Sequence, residues 1–275
     1  MATIKAVVEH ASGIPLGGLG TGSVEIRPDG FFHEWQIFNL GRWAPRQPEC
    51  CRADGPNLPP DALAFYVRTQ QGKAPPLVRR LGVRSDVNSM YSFTWLKNVR
   101  RIEFDGRYPA ATLRYLDEDL PVTVAARMFS PFIPHDSRTS GTPGFYAVFT
   151  VKNTSNEPVD VSLLGTLKNP LAWGAKDRQL RNSITRAGGT TRLTMRTAAT
   201  AACKATLGSL SFSVAGGCPS WVAGDYADHL AEYHAWDDTY GIASESLQHD
   251  FRAAGCLPSL AGDRSPSGLV RMTDA

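Results

Sequence analysis

Apolar and polar side chains alternate with a period of two residues along much of the chain. The clearest runs lie at residues 145–151 and 159–167, where apolar side chains such as Phe149 and Val161 fall on one side. A period of two predicts half-buried β-strands, and the polar turn between the two runs predicts that they form a hairpin. Similar runs predict strands at residues 62–69, 99–104, 108–115, 122–128, 192–196 and 209–214. Many short strands separated by Gly, Pro, Asn and Asp turns predict an all-β fold, a large antiparallel two-sheet β-sandwich.

The C-terminal part of the chain departs from this pattern. Residues 225–236 and 244–253 are compatible with short helical segments. Residues 258–275 are rich in Pro, Gly, Ser and charged residues, which is typical of a linker or a disordered tail. The sequence therefore predicts one sandwich domain over residues 1–257, followed by that tail.

Composition narrows the class of protein. Of the 275 residues, 42% are hydrophobic, which is enough to bury a sizeable core. The 29 basic and 26 acidic residues give a formal net charge of +3, so we expect no nucleic-acid partner. Without a run of ~18 apolar residues or an apolar N-terminal signal, we expect a cytoplasmic protein that lacks a transmembrane segment. The five cysteines include no C-x-x-C pair, and we expect neither a metal site nor a cofactor.

Glycines are concentrated in the segment from Gly17 to Gly22, which contains Gly18 and Gly20 as well. The segment is not a phosphate-binding loop, because no Lys follows it and the spacing fits neither common glycine-rich motif. Glycine supplies positive φ angles and close backbone approach. We therefore expect a positive φ or a backbone contact at these positions, with a structural purpose.

Most acidic residues occupy turns, where they cap the backbone, but two deserve consideration as chemical groups. Glycoside hydrolysis requires two carboxyl groups that face each other across a sugar. Glu34 lies inside an aromatic strand, where burial would require a partner such as Arg27 or Arg42. Asp136 follows His135 in a proline-containing connection, where such a pair more often caps a turn.

Charged pairs and runs are expected to lie in water. Arg79–Arg80 and Arg100–Arg101 fall in predicted strands, so one arginine of each pair should face solvent. The acidic run Asp117–Asp119 lies between two predicted strands, where water can solvate it. These runs predict solvated surfaces.

Aromatic side chains can stack on sugar rings, and the chain has six tryptophans. Most of them, including Trp35, are expected in the core or at an interface. Trp43 begins a proline-rich loop over residues 43–60 and is the best candidate for an exposed sugar platform. A loop of that length in a compact domain is often functional or interfacial.

The segment from Gly13 to Asn39 closely resembles the opening of glycoside hydrolase family 116, which includes the non-lysosomal glucosylceramidases and bacterial β-glucosidases. Further segments resemble successive landmarks of the family's N-terminal domain, in the family's order, at residues 98–110, 113–121, 130–136, 149–154, 159–162 and 249–257. The resemblance covers about residues 13–257. It implies the N-terminal β-sandwich of such an enzyme.

In that family the sandwich packs on a helical (α/α)6 toroid, whose glutamate nucleophile and aspartate acid/base perform retaining hydrolysis of β-glucosides. No part of this chain resembles the toroid, so no catalytic residue is assigned, and the chain alone is expected to be inactive. The resemblance implies an accessory domain that braces a helical catalytic domain or companion chain and meets a β-glucoside or glycolipid only through it. Candidates for the interdomain surface or pocket rim are Gly17, Gly18, Gly20, Gly22, Glu34, Trp35, Trp43, His135 and Asp136.

Two other readings stay open at this point. The chain could be a free-standing carbohydrate- or protein-binding sandwich without catalytic activity. A small autonomous hydrolase that uses Glu34 or Asp136 is the third possibility. The accessory-domain interpretation expects the chain to be a fragment, a truncated gene product or half of a split enzyme.

Overall fold

The fold consists mainly of short β-strands, as the alternating pattern predicts. The computed structural model describes residues 4–5, 12–38, 62–83, 97–172, 180–197, 206–217, 219–223, 251–256, 260–261 and 269–274. Its strands are β1 (Ile4–Lys5), β2 (Ile14–Leu16), β3 (Ser23–Ile26), β4 (Phe32–Gln36), β5 (Leu63–Gln71), β6 (Leu77–Arg80), β7 (Lys97–Asn98), β8 (Arg101–Arg107), β9 (Ala110–Leu116), β10 (Val122–Phe129), β11 (Tyr146–Asn153), β12 (Val159–Lys168), β13 (Leu180–Ala187), β14 (Thr190–Thr197), β15 (Ser209–Ala215), β16 (Ser220–Ala223), β17 (Leu260–Ala261) and β18 (Leu269–Asp274). The described residues also include a short helix, α1, at Ser137–Ser140, and a single helical turn at residues 251–254.

Two large sheets form the sandwich. The five-stranded sheet has the order β1-β8-β9-β10-β11, and the seven-stranded sheet has the order β17-β16-β18-β12-β5-β6-β7. Strands β2-β3-β4 and β13-β14-β15 form two smaller sheets. Neighbouring strands are antiparallel except in the pairs β6–β7 and β16–β17. The predicted all-β sandwich is confirmed.

The core lies between the two large sheets. Inward side chains of β8 to β10, such as Ile102, Leu113 and Met128, are fully buried. They belong to the same apolar cluster as residues of β5 in the opposite sheet. The rings of Phe65 on β5 and Phe149 on β11 approach to 4.9 Å between centroids, which joins the two sheets directly. This burial is the main stabilising term of the fold.

The sequence predicts that β11 and β12 form a hairpin, and this prediction is wrong. β11 pairs with β10 in the five-stranded sheet, whereas β12 pairs with β5 and β18 in the seven-stranded sheet. The turn between them crosses from one sheet to the other. Its backbone is held by the side chain of Asn153 and by a hydrogen bond that the Thr154 amide donates to the carbonyl of Pro121. Alternation marks a strand's buried side but does not specify its partner strand.

The expectation that the charged runs are solvated also fails in part. Arg79 and Arg80 are both buried. Arg79 on β6 donates to Asp117 at 2.8 Å and to Asp119 at 2.9 Å, and the side chain of Asp117 is only 1% exposed. The turn between β9 and β10 therefore forms a buried ion pair with the opposite sheet, because a buried guanidinium requires a counter-charge.

The C-terminal residues differ from the predicted linker or tail. Within residues 258–275, β17 pairs with β16, and β18 lies between β16 and β12. Residues Leu269–Asp274 form a strand, although the composition of residues 258–275 is polar. Of the two predicted helices, residues 225–236 lie outside the described part of the chain. Of the second predicted helix, residues 244–250 also lie outside the described part of the chain, and residues 251–254 are helical.

Candidate functional site

The glycine segment forms the connection between β2 and β3, and its backbone is as the sequence predicts. The φ angles are +140° at Gly17, +73° at Gly20 and +107° at Gly22. A Cβ on Gly18 would lie 2.5 Å from the carbonyl oxygen of Thr142. The predicted need for positive φ or close backbone approach is therefore confirmed at the positions tested, and only glycine meets it without strain.

The glycine segment is held against the connection between β10 and β11. The amide of Gly17 donates to Ser130 Oγ at 2.6 Å, and the amide of Leu19 donates to the carbonyl of Ser140 at 2.7 Å. These two residues of the connection are 10 positions apart in sequence and are themselves buried. Together with the tight approach at Gly18, the two bonds join the segment and the connection into one unit.

Helix α1 within that connection begins at a charged cap. The carboxylate of Asp136 accepts from the Thr139 amide at 2.9 Å and from the Thr139 hydroxyl at 2.6 Å. These hydrogen bonds, the one from the hydroxyl above all, lower the pKa of Asp136. His135 is exposed and has a φ of +66°. Asp136 thus acts as a helix N-cap, and a carboxylate with a lowered pKa is a poor proton donor.

Glu34 occupies a bulge on β4. The register between β3 and β4 shifts between Ser23 and Glu25, and Glu34 has a φ of +48°. Its half-buried carboxylate lies 3.4 Å from Nη2 of Arg27, which is one of the two partners that the sequence predicts. Arg27 also pairs with Glu25 at 3.0 Å, so one guanidinium serves two carboxylates.

Trp35 belongs to the domain itself. It is partly buried against the core, and its indole Nε1 donates to the carbonyl of Phe32 at 3.1 Å. The end of β4 borders the glycine segment, since a Cβ on Gly22 would lie 2.8 Å from the carbonyl oxygen of Gln36. Trp43 lies outside the described residues.

The structure therefore brings most of the candidate residues to one end of the five-stranded sheet. Gly17 and Gly18 lie beside the β10–β11 connection that carries His135 and Asp136, and Gly20 and Gly22 belong to the same segment. Glu34 and Trp35 lie on the strand that borders Gly22 from the other side. Among the described residues, no group of three His, Cys, Asp or Glu side chains is placed to hold a metal ion.

Sequence analysis missed the apolar surface at the same end. Within the described chain, six large apolar side chains are exposed: Leu19, Tyr108, Phe132, Ile133, Tyr146 and Val148. We call this set the apolar end. Tyr108 precedes β9, Phe132 and Ile133 follow β10, and Tyr146 opens β11, so the ladder places them where these strands start or finish. The pair Phe132-Ile133 between two prolines was a usable signal, because a rigid connection cannot turn both side chains inward.

Ring contacts organise part of the apolar end. Tyr108 and Phe132 meet edge to face, with centroids 5.6 Å apart. Phe129 and Tyr146 stack across β10 and β11 at 5.4 Å. Aromatic pairs of this kind hold side chains in defined positions at low entropic cost. The apolar end is thus an ordered surface.

Comparison with known families agrees with this architecture. A family model described as "beta-glucosidase 2, glycosyl-hydrolase family 116 N-term" matches residues 13–270, which is nearly the whole chain. The match includes β2 to β4, the glycine segment and the apolar end. No helix among the described residues is long and apolar enough to cross a membrane.

Proposed function

The chain belongs to the N-terminal domain family of glycoside hydrolase family 116, and from this membership we propose that it braces a helical catalytic domain through the apolar end. That domain would be the (α/α)6 unit implied by the family resemblance, on the same polypeptide or on a companion chain. Its substrate would be a β-glucoside or a glucosylceramide-like glycolipid. The observation that carries the proposal is that the six exposed large apolar side chains of the described residues lie at this end of the sheet or, for Val148, two residues further along β11.

Exposed apolar surface of this kind usually marks an interaction site. Tyr146 is 57% exposed and Leu19 is 55% exposed, although large apolar side chains elsewhere in the described chain are buried or half-buried. Contiguous apolar patches rimmed by polar groups are typical of protein interfaces. Interfaces between domains bury about 600–1,500 Å², which a surface of six large side chains and their neighbours can supply in large part.

The backbone beneath the apolar end is rigid. The Gly17 and Leu19 amides are hydrogen bonded to the β10–β11 connection, and Asp136 caps the helix within it. A side chain presented on a fixed backbone loses little entropy on binding. We infer that the glycine segment serves to present Leu19 beside Phe132 and Ile133 in a fixed arrangement.

We further propose that the hydrolytic carboxyl groups belong to the helical domain. The two acidic residues considered for catalysis already have structural partners here, since Asp136 caps α1 and Glu34 pairs with Arg27. An assay of the 275-residue chain with an activated aryl β-glucoside should give no turnover. Turnover that survives purification and is lost in Glu34→Gln or Asp136→Asn would favour the autonomous hydrolase instead.

Reconstitution tests the bracing role. The helical domain of a family 116 β-glucosidase, produced without its own N-terminal sandwich, would be mixed with this chain, and complex formation and aryl-glucoside turnover would be measured. We expect binding and recovered turnover, both reduced at least tenfold by Leu19→Ser combined with Phe132→Ser, because about 1.4 kcal/mol of lost apolar burial is a factor of ten.

A matched control uses Leu116→Ser. Leu116 is half-buried at the other end of β9, so this variant removes an apolar side chain from the same sheet but not from the apolar end. It should bind as the parent does. Equal binding by the apolar-end variant and the parent would overturn the proposal and favour a free-standing carbohydrate- or protein-binding sandwich.

A further inference from the structure

The outer face of the five-stranded sheet has a concentrated positive charge. The side chains of β8 to β11 that point away from the core include five cationic and two acidic residues: Arg101, Arg107, Arg114, Arg127 and Lys152, with Glu103 and Asp105. The net charge of these seven side chains is +3, which equals the formal net charge of the entire chain. The rest of the sequence is therefore balanced, and the excess lies on this one face.

The two carboxylates of this face both lie on β8, and one of them is already paired. Asp105 accepts from Arg107 at 3.2 Å. Strands β9, β10 and β11 contain no acidic residue. Within the described chain, Arg114 and Lys152 make no ion pair, and the guanidinium of Arg127 lies over the ring of Phe129 at 5.5 Å. The register places Glu103 of β8 opposite Arg114, but among the described residues its carboxylate forms no ion pair with that arginine, so the three cations are available to an anion.

Small and hydroxylated side chains separate the cations. The register places Ala125 between Arg114 and Thr150, Thr112 opposite Arg127, and Thr123 opposite Lys152. Because these intervening side chains are short, the face between the cations is flat. Its strands run about 4.8 Å apart, which is close to the length of one sugar unit in a chain.

An exposed aromatic ring borders this flat area. Tyr146 begins β11 and stacks on Phe129, with an interplanar angle of 23°. One face of the Tyr146 ring is taken by Phe129, but the residue is 57% exposed. An exposed tyrosine ring offers an apolar face to the C–H side of a sugar and a hydroxyl to its polar edge.

We propose that the outer face of β9 to β11 binds an acidic oligosaccharide, a sugar chain that carries carboxylate or sulfate groups. Arg114 and Arg127 would each donate two N–H groups to one anionic group, and Lys152 would act as a point charge. Guanidinium and planar anionic groups match in this bidentate way. The threonine hydroxyls would meet sugar hydroxyls, and Tyr146 would stack on a ring.

Other anionic partners fit the face less well. A membrane surface needs no bidentate geometry, whereas the free cations of this face are mostly arginine. Single-stranded nucleic acid requires ring faces for successive bases. Here Phe129 is covered by Tyr146 and Arg127, which leaves a single ring.

This site adjoins the surface assigned to the catalytic domain and shares Tyr146 with it. Val148 lies opposite Arg127, whereas Arg114 lies opposite Ala125, further from the apolar end. The binding test uses this chain alone, in which Tyr146 is exposed, so the binding proposal and the bracing role can fail independently.

Binding to defined probes tests the proposal. The full chain would be titrated calorimetrically with a polygalacturonate oligosaccharide, a heparin oligosaccharide and, as a neutral probe, a cello-oligosaccharide. We expect binding of at least one acidic probe, weakened by added salt, and at least tenfold weaker binding of the neutral probe. Preference between the two acidic probes distinguishes carboxylate from sulfate recognition.

Matched variants locate the site. Arg114→Gln and Arg127→Gln should each weaken acidic-probe binding about tenfold, because each removes charge-assisted hydrogen bonds. Arg127→Lys should recover only part of the affinity, since lysine lacks the planar fork. Arg192→Gln is the control, because Arg192 is exposed on β14 in another sheet and carries the same charge. Unchanged melting temperatures would establish that all variants fold.

Several outcomes would overturn the proposal. These are no binding of either acidic probe, equal binding of the neutral probe, or equal loss of affinity in Arg192→Gln. Two further probes are titrated in the same way: vesicles of phosphatidylserine and phosphatidylcholine, and a single-stranded RNA oligonucleotide. Tighter binding of either one, with the same dependence on Arg114 and Arg127, would replace the oligosaccharide as the partner.

Discussion

The five-stranded sheet carries ion pairs at one end and exposed apolar side chains at the other. At the charged end, the turn after β9 places Asp117 and Asp119 against Arg79 of the opposite sheet and Arg100 at the surface. At the apolar end, Leu19, Phe132 and their neighbours face water. The charged end satisfies its own groups and fastens the two sheets together. The apolar end leaves its large side chains exposed, so they contribute little to the domain's own stability and form the proposed docking surface.

The largest expected change in stability comes from breaking the buried ion pair at the charged end. Arg79→Met should lower the free energy of unfolding by about 3–5 kcal/mol, because it leaves the carboxylate of Asp117 buried without its counter-charge. Denaturant unfolding measures the loss. Arg100→Met is the control, and we expect a far smaller change because that arginine is exposed.

The double variant Arg79→Met with Asp117→Leu should recover much of the loss, since a well-packed apolar pair can replace a buried ion pair. Equal destabilisation by Arg79→Met and Arg100→Met would contradict the distinction between a buried and a surface ion pair.

The next largest effect concerns the backbone of the apolar end. Gly18→Ala should cost about 2–3 kcal/mol, because its Cβ would collide with the Thr142 carbonyl and neither backbone can move freely. Gly20→Ala should cost only about 1 kcal/mol, since its φ is positive but the surrounding space is open. Thermal melting of both variants gives the comparison. If both melt like the parent while ATP raises the parent's melting temperature, the segment is a ligand loop and the structural role is wrong.

Low pH should lower the stability of the charged end and of the apolar end, in each case because one carboxylate becomes protonated. A hydrogen bond from Arg100 is the main cause of the lowered pKa of Asp119, and hydrogen bonds from Thr139 lower that of Asp136. A pKa that is lower in the folded state contributes stability above the unfolded value of about 3.9, and this stability is lost as pH falls through the folded pKa. Melting temperatures between pH 7 and pH 2.5 should therefore fall less steeply in Asp119→Asn and Asp136→Asn than in the parent.

Asp119→Asn and Asp136→Asn should differ in melting temperature at neutral pH. Asp136→Asn keeps a good N-cap and should melt close to the parent, whereas Asp119→Asn loses its ion pairs with both arginines. An acid profile identical to the parent's in both variants would refute the assignment of these two groups.

The smallest expected effect on stability is at the apolar surface. Leu19→Ser, Phe132→Ser and Ile133→Ser together should change the free energy of unfolding by no more than about 0.5 kcal/mol per site, because these side chains are already exposed. The same triple variant should reduce self-association and apolar dye binding, which light scattering and fluorescence measure. A parent chain that is a clean monomer at high concentration and binds no dye would contradict an uncovered docking surface.

Local sequence was sufficient for several of these features. The period of two located β10 and β14 and identified their buried sides, whereas the strand predicted at residues 62–69 is β5, which is buried on both faces. The glycine segment's backbone and the Glu34–Arg27 pair followed from residue type and short separation along the chain. The run of family landmarks agreed with the family model over residues 13–270. The interdomain role of the candidate residues stays a prediction, as does that of Trp43.

Only the tertiary structure decided the features that depend on distant residues. The sequence determined that β11 and β12 are strands, but their partners depend on which buried faces meet in the core, and so the expected hairpin did not form. Arg79 is buried because Asp117, 38 residues away, supplies its counter-charge. The segment Leu269–Asp274 is a strand because β12 and β16 offer it two edges. A sequence records which side chains can be buried together, whereas the packed sheets determine which of them meet and which, like those of the apolar end, remain uncovered.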